Sequence, residues 1–178
     1  SWYFNKKKHL KNLKIIAEVG VNHNGKLSLA KKLIEHAKFV GANFVKFQCY
    51  STNELVTSKA KKAKYQKKFD KSETQKQMLK KYELKDSDFI ELNAYALKSK
   101  IDFISTAADK AALEFLNSKL KLKIIKIGSS DLTNIQLLIN AGRTKRNIII
   151  ICIIYHNIRQ TIIIKIILDV VIITNDCH

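Results

Sequence analysis

The sequence predicts an α/β fold assembled from parallel β/α units. Two observations carry this. Short apolar runs rich in β-branched residues alternate with segments of helical apolar spacing between Lys14 and Ile154, and that alternation calls for helical crossovers joining parallel strands. A chain of 178 residues with a hydrophobic fraction of 46% also supplies enough apolar side chain for one sizeable core. Alternation alone leaves two architectures open, a β/α barrel and an open doubly wound sheet.

The elements follow in order. Residues 14–19 (KIIAEV) form a short apolar run stopped by Gly20 and predict a first strand. Asn22-His23-Asn24-Gly25 is a turn sequence. Ser28 is placed to cap a helix over 29–40, where Leu29, Leu33, Ala37 and Val40 share a face and Gly41 supplies the stop. A second strand is expected at 44–48. The polar stretch 51–71 is a long connection, of the kind that often carries function in a compact domain. Helices are expected at 72–82 and at 86–98, the latter with Asp86 as its cap. A third strand at 101–105, a short helix at 110–117 and a fourth strand at 122–127 follow. A helix at 134–140, ended near Gly142, precedes a fifth strand at 147–154. Beyond it, residues 155–178 are isoleucine-rich without a clear period, and an irregular tail is expected there. The predicted organisation is one domain over 1–154 and that tail over 155–178. Complete β/α barrels take about 250 residues, so five strands predict the first half or so of a barrel, with an apolar sheet edge left uncovered.

Composition narrows the partners. The formal charge of +18 raises nucleic acid as a ligand. The lysines are scattered, however, and their densest run, between Lys59 and Lys71, interleaves Tyr65 and Phe69 without a surrounding RNA or DNA motif. A solvated basic face that attracts small anions is the expectation, with no specific nucleic-acid partner. Cys49, Cys152 and Cys177 are odd in number and form no CxxC pair, which suits a reducing cytoplasm and argues against a disulfide framework or a zinc site. The N-terminal SWYFNKKKHLKNLK lacks the apolar core of a signal peptide. Arg159, Lys165 and Asp169 interrupt the tail, so no membrane-spanning helix is expected. Proline is absent, and the 5 glycines leave the loops without their usual punctuation.

In both open architectures, ligands gather at the carboxyl ends of the strands. There the sequence places Glu18, then Lys46 and Gln48, then Ser105 and Thr106, then Lys126 running into Gly128-Ser129-Ser130-Asp131. Side chains alternate along a strand, so Lys46 and Gln48 share a face. Two lysines inside apolar strands are the sharpest signal, because a buried ammonium is costly unless paired. With nearby hydroxyls and a glycine turn, they suit a small polyanion. The competing reading has both lysines snorkelling to solvent. His23 reads as a ligand or a turn residue, Ser105-Thr106 as ligand contacts or a helix cap, and His36 as part of an amphipathic helix. Cys49 has no evident base beside it and reads as inert. His156 and His178, in the tail, are not expected to bind a functional metal.

Four motifs, in order, resemble the sialic acid synthases. IIAEVGVNHNG (15–25) is similar to their opening strand and loop, GANFVKFQ (41–48) to their second strand, FISTAAD (103–109) to their third strand end and IKIGSSDLTN (125–134) to their fourth. The resemblance covers about 14–151. It implies a TIM-type (β/α)8 barrel, followed in complete members by a small antifreeze-like domain. It implies condensation of phosphoenolpyruvate with an N-acetylated hexose, such as N-acetylmannosamine, to give N-acetylneuraminate or a related nonulosonic acid. Carbon 3 of phosphoenolpyruvate attacks the sugar aldehyde, water adds at carbon 2 and phosphate leaves. The resemblance also implies a divalent metal, Mn2+ or Mg2+, that polarises the aldehyde in the complete enzyme.

By position, the resemblance implies that Lys46, Thr106, Lys126 and Ser129 hold the phosphate and carboxylate of phosphoenolpyruvate. Gln48 and Asp131 line the sugar side, and Glu18 is the candidate acid/base. Ala107 and Gly128 stand where many relatives have proline, and Ser130 where glycine is common. After Ile151 the chain reads CIIYHN in place of a Ser-Thr-Gly-Met-like turn. The later strands that carry two metal-binding histidines, and the antifreeze-like domain, have no counterpart, so the expectation is a truncated or frameshifted reading with no metal ligands and no activity alone. A homodimer is the assembly that the resemblance allows for the complete enzyme. The alternatives are a related phosphoenolpyruvate-dependent aldol-type synthase, and a noncatalytic anion- or nucleic-acid-binding remnant.

Overall fold

A computed structural model describes residues 14–55, 75–154, 162–165 and 170–173. The elements are β1 (Lys14–Gly20), α1 (Leu27–Phe39), β2 (Phe44–Cys49), α2 (Thr52–Leu55), α3 (Gln75–Tyr82), α4 (Asp86–Lys98), β3 (Asp102–Ala107), α5 (Lys110–Glu114), β4 (Ile124–Ile127), α6 (Ile135–Arg143), β5 (Asn147–Ile154), β6 (Ile162–Lys165) and β7 (Val170–Ile173). A π-helical turn, Phe115–Lys119, prolongs α5, and a 3-10 turn, Ser129–Asp131, follows β4.

Strands β1 to β5 are parallel, and each pairs with its successor in sequence. A doubly wound sheet reverses its strand order at a switch point. No reversal occurs among these five strands, so every crossover advances the same way, as around a barrel. Register then sorts the side chains. One face of the sheet presents Val45, Phe47, Phe103, Ile125 and Ile127 to the helices, all buried. Against them pack Ala30, Ile34 and Ala37 of α1 and Phe89, Leu92 and Ala96 of α4. Phe47 stacks on Phe103 at 5.2 Å between centroids, and Phe89 meets Phe103 and Phe115 edge-on at 6.4 and 6.2 Å. Each such fully buried side chain contributes roughly 1.5–3 kcal/mol. The opposite face has no helix of this core cluster on it.

Local chemistry sets the element ends. Gly41, at φ +84°, closes α1: its N–H donates to the Lys38 carbonyl and that of Ala42 to the Ala37 carbonyl, the paired bonds of a Schellman stop. Helix α1 starts at Leu27 after Lys26, so Ser28 lies in its first turn and is not the cap. Helix α4 spans the expected residues, but Lys85 occupies the cap position. The Asp88 carboxylate accepts from the Lys85 N–H at 3.0 Å, leaving Asp86 as the first helical residue. Asp109 caps α5 by accepting from the Ala112 N–H at 2.7 Å, so Ser105 and Thr106 do not. Gly142 lies inside α6, which ends one residue beyond it.

The largest departure concerns the tail. Where no regular element is expected, β6 pairs antiparallel with β5, and β7 pairs parallel with β1. Both edges of the five-stranded sheet therefore carry a further strand. Uninterrupted β-branched residues fit a pleated surface and an open sheet edge offers unpaired backbone groups, so these short apolar segments complete the ladder. The basic run between Lys59 and Lys71, His156, Cys177 and His178 lie outside the described residues.

Candidate functional site

The register places the site on the face of the sheet opposite that core cluster. Glu18 of β1 stands opposite Lys46 of β2, Gln48 of β2 opposite Thr106 of β3, and Thr106 opposite Lys126 of β4. Ile16 and Ile104 occupy the same face one step towards the strand starts, each 1% exposed, and make an apolar base. Sequence reasoning did not single out Ile104. The signal is the two-residue phase that Ile16 shares with Glu18 and Ile104 with Thr106.

Three of the expected residues meet directly. The Glu18 carboxylate lies between both lysines: Oε1 accepts from Lys126 Nζ at 2.6 Å, and Oε2 is paired with Lys46 Nζ. All three side chains are largely buried, at 12% exposure for Glu18, 5% for Lys46 and 11% for Lys126. The lysines therefore do not snorkel. Burial lowers the Lys46 pKa and the Lys126 ammonium lowers it further, while Glu18 opposes both effects. Two ammonium groups against one carboxylate leave an excess positive charge in a poorly solvated place. Beside them Thr106 is buried and its Oγ1 has no hydrogen-bond partner. A hydroxyl left unpaired in such a site is a donor ready for a ligand.

The remaining candidates lie around this centre. Gln48 is exposed at the end of β2. Ser129 is exposed and Asp131 half-buried on the turn after β4, where the Asp131 N–H donates to the Gly128 carbonyl at 3.1 Å. Burial raises the Asp131 pKa, and the Ser130 hydroxyl, donating at 3.4 Å, partly offsets that. Ser105 points to the other face and donates to the Phe47 carbonyl at 3.2 Å, which removes it from the site. His23 is a turn residue: its Nδ1 accepts from the Gly25 N–H at 3.1 Å and its ring stacks on Phe47. Burial lowers its pKa to about 4, with the Gly20 backbone opposing. His36 is exposed in the last turn of α1. Cys49 is buried and its thiol is pushed up to about 12, chiefly by burial and then by Asp109, which agrees with an inert side chain.

The described residues do not fit a divalent metal. Among them no group of three His, Cys, Asp or Glu comes together, and both oxygens of the one carboxylate at the centre are taken by ammonium groups. No helix among the described residues is long and apolar enough to cross a membrane.

Comparison with known proteins bears on this arrangement. Residues 33–154 match the NeuB family. An N,N'-diacetyllegionaminic acid synthase from Campylobacter jejuni is 46% identical over 142 residues, covering 79% of this chain and 42% of that protein. The enzyme of the same name from Legionella pneumophila is 44% identical over 137 residues, covering 76% and 38%. Among solved structures, an N-acetylneuraminic acid (sialic acid) synthetase from Leptospira borgpetersenii, in complex with citrate, superposes with a TM-score of 0.63 at 31% identity, over 78% of this chain and 44% of that one. The chain thus spans about two fifths of the length of the curated relatives it matches, and the sheet is part of a TIM-type barrel. With residues 33–154 matching the family model and two relatives above 40% identity over more than three quarters of its length, the chain belongs to the NeuB family.

Proposed function

We propose that this chain carries the phosphoenolpyruvate-binding part of a nonulosonic acid synthase. Lys46, Thr106, Lys126 and Ser129 hold the phosphate and carboxylate of phosphoenolpyruvate. Gln48 and Asp131 line the place of an N-acetylated hexose such as N-acetylmannosamine, and Glu18 is the acid/base at the reaction centre. The observation that carries this reading is the buried pair of lysines on one face, with excess positive charge and an unpartnered Thr106 hydroxyl beside them. In the reaction, carbon 3 of phosphoenolpyruvate bonds to the aldehyde carbon, water adds at carbon 2 and phosphate leaves. The lysines neutralise the bound anion and fix its orientation, the contribution that positioning makes to such a step.

The family resemblance also implies a divalent metal at the sugar aldehyde. The described residues do not supply its ligands. We infer a cytoplasmic location, which the odd number of cysteines without a CxxC pair suits, and a homodimer as the assembly of the complete enzyme. A charge-driven polyanion-binding role is the weaker reading, because the converging lysines are buried and cannot pave a surface for a polymer.

Calorimetric titration tests the proposal. Phosphoenolpyruvate, with two anionic groups, is expected to bind saturably and at least tenfold more tightly than pyruvate. Equal affinity for both, or binding only to a polyanion such as heparin with steep salt dependence, overturns it.

A further inference from the structure

Glu18 does more in this geometry than wait as an acid/base. Its two oxygens each take one ammonium group, Oε1 that of Lys126 at 2.6 Å and Oε2 that of Lys46. Each ammonium keeps further donors, but the position between the two lysines, where one anion meets both at once, is the one this carboxylate now fills. We propose that Glu18 is a placeholder anion: it occupies the ligand's position between Lys46 and Lys126, and substrate binding is an exchange in which the carboxylate swings out. The proposal rests on the anion-site reading above and adds a specificity rule to it.

Two independent features support the exchange. Thr106 Oγ1, buried and unpartnered, is a polar group that Glu18 leaves unsatisfied and an incoming oxyanion can satisfy. The backbone also has a device for moving Glu18. Pairing of β1 with β2 runs in register up to Glu18–Lys46, then slips, so that Gly20 stands opposite Phe47 and Val19 opposite no residue. Gly20 sits at φ +57°, in the left-handed region. A bulge of this kind re-aims a neighbouring side chain and loosens the ladder beside it, and Glu18 is the last residue before the slip.

The rule concerns charge. With Glu18 in place the lysines carry one uncompensated positive charge between them, and a monoanion has to displace a resident carboxylate of equal charge held at close range. A phosphate dianion brings the larger charge and the geometry for two ammonium groups and a hydroxyl at once. Glu18 therefore selects against acetate-like and chloride-like ions and admits phosphate-bearing ligands.

The test uses Glu18→Gln, which keeps the side-chain shape and removes the charge. Titration with inorganic phosphate is expected to show at least a tenfold gain in affinity, and acetate, without measurable binding to the wild type, becomes a ligand. Unchanged or weakened phosphate binding overturns the exchange. If Glu18→Gln does not fold, the wild type labelled with 13C at glutamate carboxyls serves instead, with the Glu18 resonance assigned through Glu18→Asp. That resonance is expected to shift along the phosphate-binding isotherm, and a resonance that stays fixed overturns the exchange. Failure of the underlying reading looks different. Phosphate binding that needs Lys126 while Glu18 neither tightens nor moves sinks the exchange and leaves the site standing. Absence of any phosphoenolpyruvate or phosphate binding to the wild type sinks both.

Discussion

A carboxylate clasped by two lysines in a sheet of isoleucines, valines and phenylalanines makes each lysine answerable for the others. Removing one ammonium group deprives a bound anion of a charge-assisted hydrogen bond. Lys46→Ala and Lys126→Ala are each expected to weaken phosphoenolpyruvate binding by roughly 1.5–3 kcal/mol, the range for hydrogen bonds to charged groups. Calorimetry on folded variants checks this, and unchanged affinity in both removes them from the site. His23 makes a separate prediction about pH. Unfolded, it titrates near 6.5; folded, burial holds it near 4. Between those values the unfolded chain takes up a proton that the folded one refuses, so stability falls as pH drops from about 6.5 to about 4 and levels off below. The loss is on the order of 3 kcal/mol. Urea midpoints at pH 7 and 4 should fall further for the wild type than for His23→Gln, and equal falls would show that His23 is not the titrating group.

At the scale of elements, stops and caps decide where the strands can aim. Gly41 adopts φ +84° with open space around it, so an added methyl group meets no neighbour and only the backbone conformation is strained. Gly41→Ala is expected to cost about 1–2 kcal/mol, the penalty for an L-residue in the left-handed region. A urea midpoint within error of the wild type would contradict the Schellman assignment. Asp109 has two tasks: Oδ1 caps α5 through Ala112 and Oδ2 accepts from the Ser51 N–H at 2.7 Å, tying the end of β2 to the start of α5. Asp109→Ala should therefore cost about 2–3 kcal/mol, more than a simple cap, as thermal unfolding would show.

Elements were legible where one residue type has one job. Glycine after an apolar run marked the ends of β1 and α1, and an isoleucine-rich run interrupted only by Cys152 marked β5. Caps were less legible, since several polar residues compete for one position. Lys26 precedes α1 with no side-chain cap at all, and Asp88 serves α4 from within. Strands β6 and β7 were not legible, because their order depends on sheet edges that a local pattern does not describe.

For the whole molecule, alternation of strands and helices predicted parallel units, but barrel and doubly wound sheets share that signal. The consecutive order of β1 to β5 separates them. The site was legible to the same depth. Lys46 and Lys126 stood out as charges in apolar strands, and their burial agrees with that reading. The clasp by Glu18 was not legible, since it depends on the register between β1, β2, β3 and β4, and no single segment of sequence encodes register across strands.

We infer that Glu18, Lys46 and Lys126 are kept together for an anionic ligand and not for stability. Replacing a buried ion cluster with apolar side chains of similar volume is often neutral or stabilising by about 1–4 kcal/mol, whereas it removes every charge a ligand could use. The direct measurement combines urea unfolding with phosphoenolpyruvate calorimetry on the triple variant Glu18→Leu, Lys46→Met, Lys126→Met. The expected result is an unfolding midpoint equal to or above that of the wild type, together with complete loss of binding heat. A variant that still binds phosphoenolpyruvate with wild-type affinity would contradict it.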